Sequence, residues 1–536
     1  MFGRHTLARE ALLSATAAGA VAALLAWLGP PGADLAAHAY QRTLFINHGF
    51  ALWNNFWYAG RYSFITYSVL YYPLAALLGI RLLAVATIAL AALAFAVVLG
   101  HEWGPTSRWS SRTFAVVWGG IVLSAAFPFA LGVALALLAI WALQARRHWR
   151  FAALTVLTLA ASPLAFLLLV IVLTGVALAQ RASLPRNAVP VAAVAAAAAT
   201  QAVIWRMFAD GGRFSFSLPE AGAAVAFCVA GLLFTWRVKR ARVLRFVFAV
   251  YLAAVVAAYL IPSELGENVA RLRYAALPLI VLVFSLRQWR PLPVGVAIVA
   301  LAVSWNVSPL VASYLHGQAD VTSQPSTWPA PIAYLRAQLQ PGYRVEAVDT
   351  AGHWPGVYLA DAGIPLARGW FRQDDFPVNA VLYRKPSTAA YVAWLRSLGV
   401  EYVVLTTAPP DYSARREAAL VAASDSPLVP VFATDVVTIY AVPDPRPIVT
   451  GPGRPRLLSL TEERLRLRVS RGGTYRIAVR WSPYWRASDG CLGRGKDGML
   501  RLRTLSARVV GLAFRVDAEH ALDTLAGEMP DCRLRR

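Results

Sequence analysis

Asp34 is the only acid between Glu10 and Glu102, and it stands where the first apolar run, residues 11–28, gives way to "GPPGADLAAHAYQ". A carboxylate held partly dried at such a boundary can serve as a base toward a hydroxyl group. His38 comes four residues later and would share a face with Asp34 if "DLAAHAYQRTLF" is helical, positioning the acid or an acceptor. The same pattern also suits Asp34 as the N-cap of that helix. Next comes the cluster Trp53, Asn54, Asn55, Trp57 and Tyr58, which combines aromatic faces with amide groups. Such a mixture fits a sugar ring, with its C–H faces and hydroxyl edges, and it equally fits the aromatic belt of a membrane interface. A third group lies in "ENVARLRY", where Asn268, Arg271 and Arg273 follow an apolar run. An arginine fork there could grip a phosphate bidentately, or it could pair with Glu264 or Glu267. Farther on, "GWFRQDDF" could bring Arg372, Asp374 or Asp375 to an acceptor, and the aromatics of "RWSPYWR" could stack on glycan or fill a core.

What positions these groups is a membrane. The chain is 58% hydrophobic and 15% charged over 536 residues, too little polar surface for a soluble domain of that size. Apolar runs recur to residue 309. Those at 113–144 and 151–180 each carry a central proline, in "AAFPFALG" and "AASPLAF", and read as helix pairs joined by a tight turn. The segment 11–28 is long enough to span and exceeds the ~7–15 residues of a signal-peptide core, so it reads as a retained first helix.

Charge sets the expected orientation. The first 309 residues hold 23 Lys and Arg against 7 Asp and Glu, and residues 310–536 hold 28 against 21. Much of the first excess lies in acid-free loops: Arg146, Arg147 and Arg150; Arg181 and Arg186; Arg237, Lys239, Arg240, Arg242 and Arg245; Arg287 and Arg290. By the positive-inside rule these loops face the cytoplasm. The N-terminus would then be cytoplasmic and the C-terminal part extracytoplasmic, with an odd number of crossings, about eleven. Segments 29–65, 207–220 and 262–273 would lie outside. Five of the seven acids in the membrane half fall in those segments and none falls mid-membrane, which argues against an ion-coupled transporter. The net charge of +23 is explained by topology, and nucleic acid is not implied as a partner.

The fold class expected is therefore a polytopic α-helical membrane protein followed by an extracytoplasmic α/β domain and a small β-sandwich. Residues 1–309 would form the transmembrane domain with 29–65 as its first outer loop. Residues 310–443 would be the α/β domain, with strands in "YRVEAVD", "EYVVLTT" and "VVTIYAV" and a helix over "TAAYVAWLRSLG". After the proline-rich "PDPRPIVTGPGRP", residues 444–536 alternate in short apolar segments, as a sandwich requires. Cys491 and Cys532 are candidates for a disulfide if this part is outside the cytoplasm, with free thiols as the alternative; Cys228 sits in an apolar run. Phosphate loops, nucleophile elbows and zinc motifs of soluble enzymes are missing from the sequence.

These parts together resemble the GT-C superfamily of membrane glycosyltransferases: an acid just past helix one, about eleven spans, an outer loop with "ENVARL" and an outer C-terminal domain. "NNFWYAGRYSFITYSVLYYPLAALLG", "GIPLARGWFRQDD" and "YVAWLRSLGVEYVVL" are similar to uncharacterised actinobacterial multispanning proteins placed near that superfamily. The resemblance implies an inverting transfer from a polyprenyl-phosphate sugar donor to an envelope glycan or lipid acceptor. Asp34 would be the catalytic base, and Arg271 with Arg273 would bind the donor phosphate. His38, Trp53, Asn54, Trp57, Tyr58, Asn268 and Arg372 would contact sugar or acceptor. Many members carry paired acids in the first loop; here one stands alone, so no paired-acid motif supports a divalent metal, and no cofactor is assigned. The competing readings are a transporter or flippase of lipid-linked glycan and a non-catalytic envelope assembly protein.

Overall fold

The computed structural model describes residues 4–180, 188–210, 212–527 and 532. Arg181 and Arg186 of the basic loops lie outside them. The acid-poor apolar runs are helices, because a segment without water at hand must satisfy its backbone groups internally. In chain order these are α1 Arg4–Leu28, α2 Leu35–His48, α3 Tyr71–Leu78, α4 Ile80–Trp103, α5 Arg108–Gly119, α6 Phe127–Gln144, α7 His148–Ala161 and α8 Pro163–Gln180. They continue with α9 Ala188–Met207, α10 Leu218–Thr235, α11 Arg242–Leu260, α12 Ala276–Leu286 and α13 Leu292–Ala319.

Among the described residues nine stretches are long and apolar enough to cross a membrane, so the expected eleven crossings are not confirmed. Two places account for the difference. Ile80–Leu123 is one 44-residue stretch by that measure, although it holds α4 and α5, which pack on each other. Helix α7 has only 14 residues, short of the ~20 that a bilayer asks of a helix.

The chain folds into two compact units. The first comprises Met1–Leu35, Tyr67–Ala202 and Gly212–Leu315; the second comprises Ala36–Thr66, Val203–Gly211 and His316–Arg536. In the first, α1 packs along α4 and α5, α6 lies between α4 and α7, and α8 runs beside α11. The prolines of the two interrupted runs fall at helix starts, where a missing N–H costs nothing. Pro128 opens α6 after a break at Ser124–Ala126, and Pro163 opens α8 after Ser162. At Gly132 of α6 a Cβ would come within 2.5 Å of the Ala165 Cβ, so glycine there lets α6 close on the α7–α8 break.

Among the described residues the second unit holds three four-stranded sheets. One joins β3 Arg344–Ala347, β4 Val400–Thr406, β6 Val437–Ala441 and β5 Val429–Ala433 in that spatial order, parallel between β3 and β4 and antiparallel elsewhere. Helices α14 Pro329–Gln338, α15 Trp354–Asp361, α16 Arg372–Val378, α17 Ala380–Tyr383, α18 Thr388–Leu398 and α19 Arg415–Ala422 accompany it. The other two sheets face each other across a shared apolar core. One is β12 Cys491–Arg494, β13 Met499–Thr504, β10 Gly473–Arg480 and β7 Val449–Thr450; the other is β11 Trp485–Ala487, β14 Arg508–Phe514, β9 Arg464–Val469 and β8 Arg456–Leu460. Alternation places Leu465, Leu467, Leu500, Leu502, Val510 and Leu512 inward. Cys491 and Cys532 are joined in a disulfide, and Cys228 is a buried free thiol. A short hairpin, β1 Trp53–Asn54 with β2 Arg61–Tyr62, adds Trp53 and Tyr62 to the core of these two sheets. Residues 36–66, read from the sequence as part of an outer loop, thus fold within the second unit.

Candidate functional site

Asp34 is held by a junction of two chain breaks in the first unit. The backbone N–H groups of Ala33 and Asp34 donate to the carbonyls of Leu123 and Ser124, each at 3.0 Å, so "GPPGAD" is pinned to the turn between α5 and α6. Gly32 makes the approach possible: a Cβ there would lie 2.4 Å from the Val122 carbonyl oxygen and 2.8 Å from the Ala125 Cβ. A third break joins the first two. Val69 and Leu70 both donate to the Ala160 carbonyl at 3.0 Å, which fixes the segment carrying Tyr67 to the end of α7. The proline interruptions read from the sequence therefore build the ground under the site.

Arg271 comes from a ten-residue 3-10 helix, Gly266–Ala275, that precedes α12. Runs of that length are uncommon because 3-10 hydrogen-bond geometry is poorer than that of the α-helix. Gly266 starts it with φ of +39°, and a Cβ there would lie 2.0 Å from the Phe214 carbonyl oxygen, so this entry requires glycine. With three residues per turn, Arg271 and Arg273 point in different directions. The Arg271 Nη2 lies 3.8 Å from Asp34 Oδ2, with both side chains about one-fifth exposed (21% and 17%). Its guanidinium also sits over the Phe129 ring, 5.7 Å from the centroid, in the first turn of α6.

Tyr67 completes the group. Burial pushes its hydroxyl up to about 12; the Arg271 cation, with a hydrogen bond between the two side chains, opposes that rise, and the Asp34 charge adds to it. The phenol stays neutral at physiological pH and can donate or accept a hydrogen bond. An acid, a guanidinium, a phenol and an aromatic face are thus gathered at one end of the first unit. Such a set can take a proton, balance an anion and shield both from water.

Arg273 is committed elsewhere. Its Nη1 lies 2.8 Å from Glu220 Oε1 and 4.0 Å from Glu267 Oε1. Glu220 also accepts from the Trp305 indole at 3.0 Å, and Asn306 donates to the Arg273 carbonyl at 2.7 Å. This network ties the 3-10 segment to α10 and α13, so Arg273 anchors the strip that carries Arg271. Asn268 is partly buried on the same strip, its N–H bonded to the Leu265 carbonyl.

The chain is similar in structure to an arabinofuranosyltransferase. A cryo-EM structure of the arabinofuranosyltransferase AftD from Mycobacteria aligns at TM-score 0.47 and 19% identity, over 82% of this chain and 40% of that one. A mutant form of AftD aligns at TM-score 0.48 and 15% identity, over 97% and 60%. The chain spans about half the length of the structures it matches. At this level of likeness no activity carries over. No family model and no curated protein matches the chain.

The remaining residues singled out in the sequence lie in the second unit, mostly inside it. His38 is fully buried on α2. Trp53 stacks on Phe514 at 5.1 Å and meets Trp485 edge-on at 5.7 Å. Asn54 bonds the Tyr40 hydroxyl and caps the Phe56 N–H. The Trp57 indole donates to the Gly356 carbonyl at 2.9 Å, and the Tyr58 hydroxyl to that of Gly369 at 2.8 Å. These aromatics spend their polar atoms on the protein and present no open sugar platform. The acids of "GWFRQDDF" are likewise engaged: Asp374 meets Arg61 at 2.6 Å, Asp375 meets Arg368 at 2.6 Å, and Arg372 pairs with Asp411 and lies over the Tyr412 ring at 4.4 Å. Tyr484 and Trp485 of "RWSPYWR" are core residues. Among the described residues no group of three or more His, Cys, Asp or Glu is arranged to hold a metal. Tyr67 and Phe129 lie inside stretches singled out for other reasons, and only their place beside helix breaks could have marked them as site residues.

Proposed function

We propose that this chain is an inverting membrane glycosyltransferase. It moves a sugar from a polyprenyl-phosphate donor to a hydroxyl of an envelope glycan or lipid at the outer face of the cytoplasmic membrane. The observation that supports this reading is the meeting of Asp34 and Arg271 at 3.8 Å within one unit, although they come from opposite ends of the helical part of the chain.

In this reading Asp34 takes the proton of the acceptor hydroxyl as its oxygen attacks the anomeric carbon. The bond from that carbon to the phosphate oxygen breaks with its electron pair, and polyprenyl phosphate leaves. Arg271 stabilises the charge that grows on the leaving phosphate, and the neutral Tyr67 phenol orients either partner by hydrogen bonding. A single displacement inverts the anomeric centre. No acid lies mid-membrane in the sequence to carry a coupling ion, which favours transfer over transport.

The test is transfer of label from a panel of radiolabelled polyprenyl-phosphate sugars by the purified protein in proteoliposomes. Asp34→Asn should abolish transfer while the protein still folds and unfolds cooperatively, with only the modest loss of stability expected from the broken Asp34–Arg271 pair. Undiminished transfer by a folded Asp34→Asn variant would sink the proposal.

A further inference from the structure

The outward face of the sheet β11–β14–β9–β8 carries a row of arginines that the proposed transfer does not use. Alternation on β9 buries Leu465, Leu467 and Val469 and turns Arg464, Arg466 and Arg468 to the exposed side. Arg456 of the edge strand β8 stands directly opposite Arg468, and Ser459 stands opposite Arg466. On the other flank the partners are small or aliphatic: Ala513 beside Arg464, Gly511 beside Arg466 and Val509 beside Arg468.

This face differs from an ordinary charged surface in three ways. Neighbouring cations are balanced, Arg486 by Asp517 and Arg508 by Asp489. Arg456, Arg464, Arg466 and Arg468 have no carboxylate partner among the described residues. The nearest acids in the chain, Glu462 and Glu463 of the β8–β9 turn, are engaged with His48 and with the backbone of Leu52. Finally, the Arg456–Arg468 register sets like charges opposite each other, which disfavours the sheet until an anion arrives.

Spacing and surroundings select the ligand. Side chains two apart on a strand repeat at about 6.8 Å, so β9 presents a straight ladder of planar forks suited to carboxylate or phosphate. The flat floor beside it is Gly511, Ala513 and Val509, with Leu458 exposed at the other edge, and the C–H faces of sugars can lie on it. Single-stranded nucleic acid would want aromatic platforms among the cations, and none of these positions is aromatic.

We infer that this face binds a linear acidic polysaccharide, with carboxylates or phosphates on successive sugars seated on Arg464, Arg466, Arg468 and Arg456. The site lies entirely in the second unit and does not depend on the transferase reading.

The test uses the full chain in nanodiscs of zwitterionic lipid, with polygalacturonate as probe and neutral dextran, oligothymidylate and phosphatidylglycerol vesicles as comparisons. Polygalacturonate should bind, weaken steeply between about 50 and 200 mM salt, and lose about 30-fold in affinity in the triple variant Arg464→Ser, Arg466→Ser, Arg468→Ser. The triple Lys variant keeps charge without the forks and should fall between, which serves if the Ser variant folds poorly. Arg501→Ser with Arg503→Ser, exposed on β13 of the opposite sheet, should stay within about 2-fold of the parent. The inference is overturned if polygalacturonate does not bind, if dextran binds equally, or if the β13 variant loses as much as the β9 variant. Tighter binding to oligothymidylate or to the anionic vesicles overturns it as well.

Discussion

Replacing Arg271 tests the site more sharply than replacing Asp34, because its pairing with Asp34 and its proposed hold on the leaving phosphate predict separable losses. At 3.8 Å two unit charges attract by about 1 kcal/mol in a water-like dielectric and by about 4 kcal/mol at an effective dielectric near 20. Both side chains are about one-fifth exposed, so the coupling in the resting protein should fall between, about 2 kcal/mol. A double-mutant cycle of Asp34→Asn and Arg271→Ala, read by thermal unfolding in detergent, should return a coupling of that order. Catalysis should suffer more. If the guanidinium balances charge on the departing phosphate, Arg271→Ala removes a stabilising group of the oxyanion-hole kind and should lower kcat about 10²–10³-fold, or about 2.7–4 kcal/mol. Arg271→Lys keeps the charge, loses the planar fork, and should recover all but about 10-fold. The assay is initial-rate transfer from the polyprenyl-phosphate sugar that the parent protein uses. A folded Arg271→Ala variant that transfers within about 3-fold of the parent would refute the phosphate role. A coupling near zero would refute the pairing itself.

Three further outcomes follow from particular contacts. Gly32→Ala drives a methyl group against the Val122 carbonyl and the Ala125 Cβ, so transfer should fall at least about 10-fold and stability by about 1–3 kcal/mol; unchanged rate and melting would show that the junction is not needed. Asp374→Asn takes the carboxylate charge away from the buried Arg61 guanidinium, which keeps the Phe371 ring face at 4.0 Å and the Asp210 charge, and should cost about 3–5 kcal/mol in denaturant unfolding; a loss under about 1 kcal/mol would contradict the buried pair. Burial pushes the Glu417 carboxyl up to about 7, against the opposing pull of Arg368, so the folded state holds this proton more tightly than the unfolded chain. That contribution is complete below pH ~4.3 and is lost as pH rises to about 7, so stability of the second unit should decline over that window by roughly 3 kcal/mol. Glu417→Gln should flatten the decline, and an equally steep profile in the variant would assign it to other groups.

Much of the fold was legible because it follows from periodicity and solvent. The helix breaks at Ser124–Ala126 and Ser162 were written in "AAFPFALG" and "AASPLAF", since proline cannot continue a helix and opens one readily. The strands of the last hundred residues were written in alternation, as "RLRLRV" and "MLRLRT" show with every second residue buried. The number of crossings was less accessible. The polar stretch 100–112 separates the apolar runs on either side of it, but hydropathy does not say whether a helix as short as the 14 residues of α7 crosses. The hairpin at 53–62 was hidden for another reason: its partners, Trp485 and Phe514, lie more than four hundred residues downstream, and no local pattern announces so distant a contact.

The site divides in the same way. Asp34 stood out because an isolated acid beside an apolar run is costly unless it is used, and Arg271 because a cation after a helix in an acid-bearing loop has the same claim on attention. The difference between Arg271 and Arg273 could not be read, since it depends on the 3-10 path from Gly266 to Ala275. On an α-helix two residues apart are separated by 200°, on a 3-10 helix by 240°, and here that path hands one cation to Asp34 and the other to Glu220. The aromatic cluster misled for a complementary reason. Trp, Asn and Tyr are what a sugar platform needs, and they are equally what a buried hairpin needs when its indoles and amides must find partners without water. Only burial separates the two uses. It puts Trp53, Asn54, Trp57 and Tyr58 inside, while the arginines of β9, unremarkable as a motif, are left facing out with no carboxylate among the described residues to balance their charge.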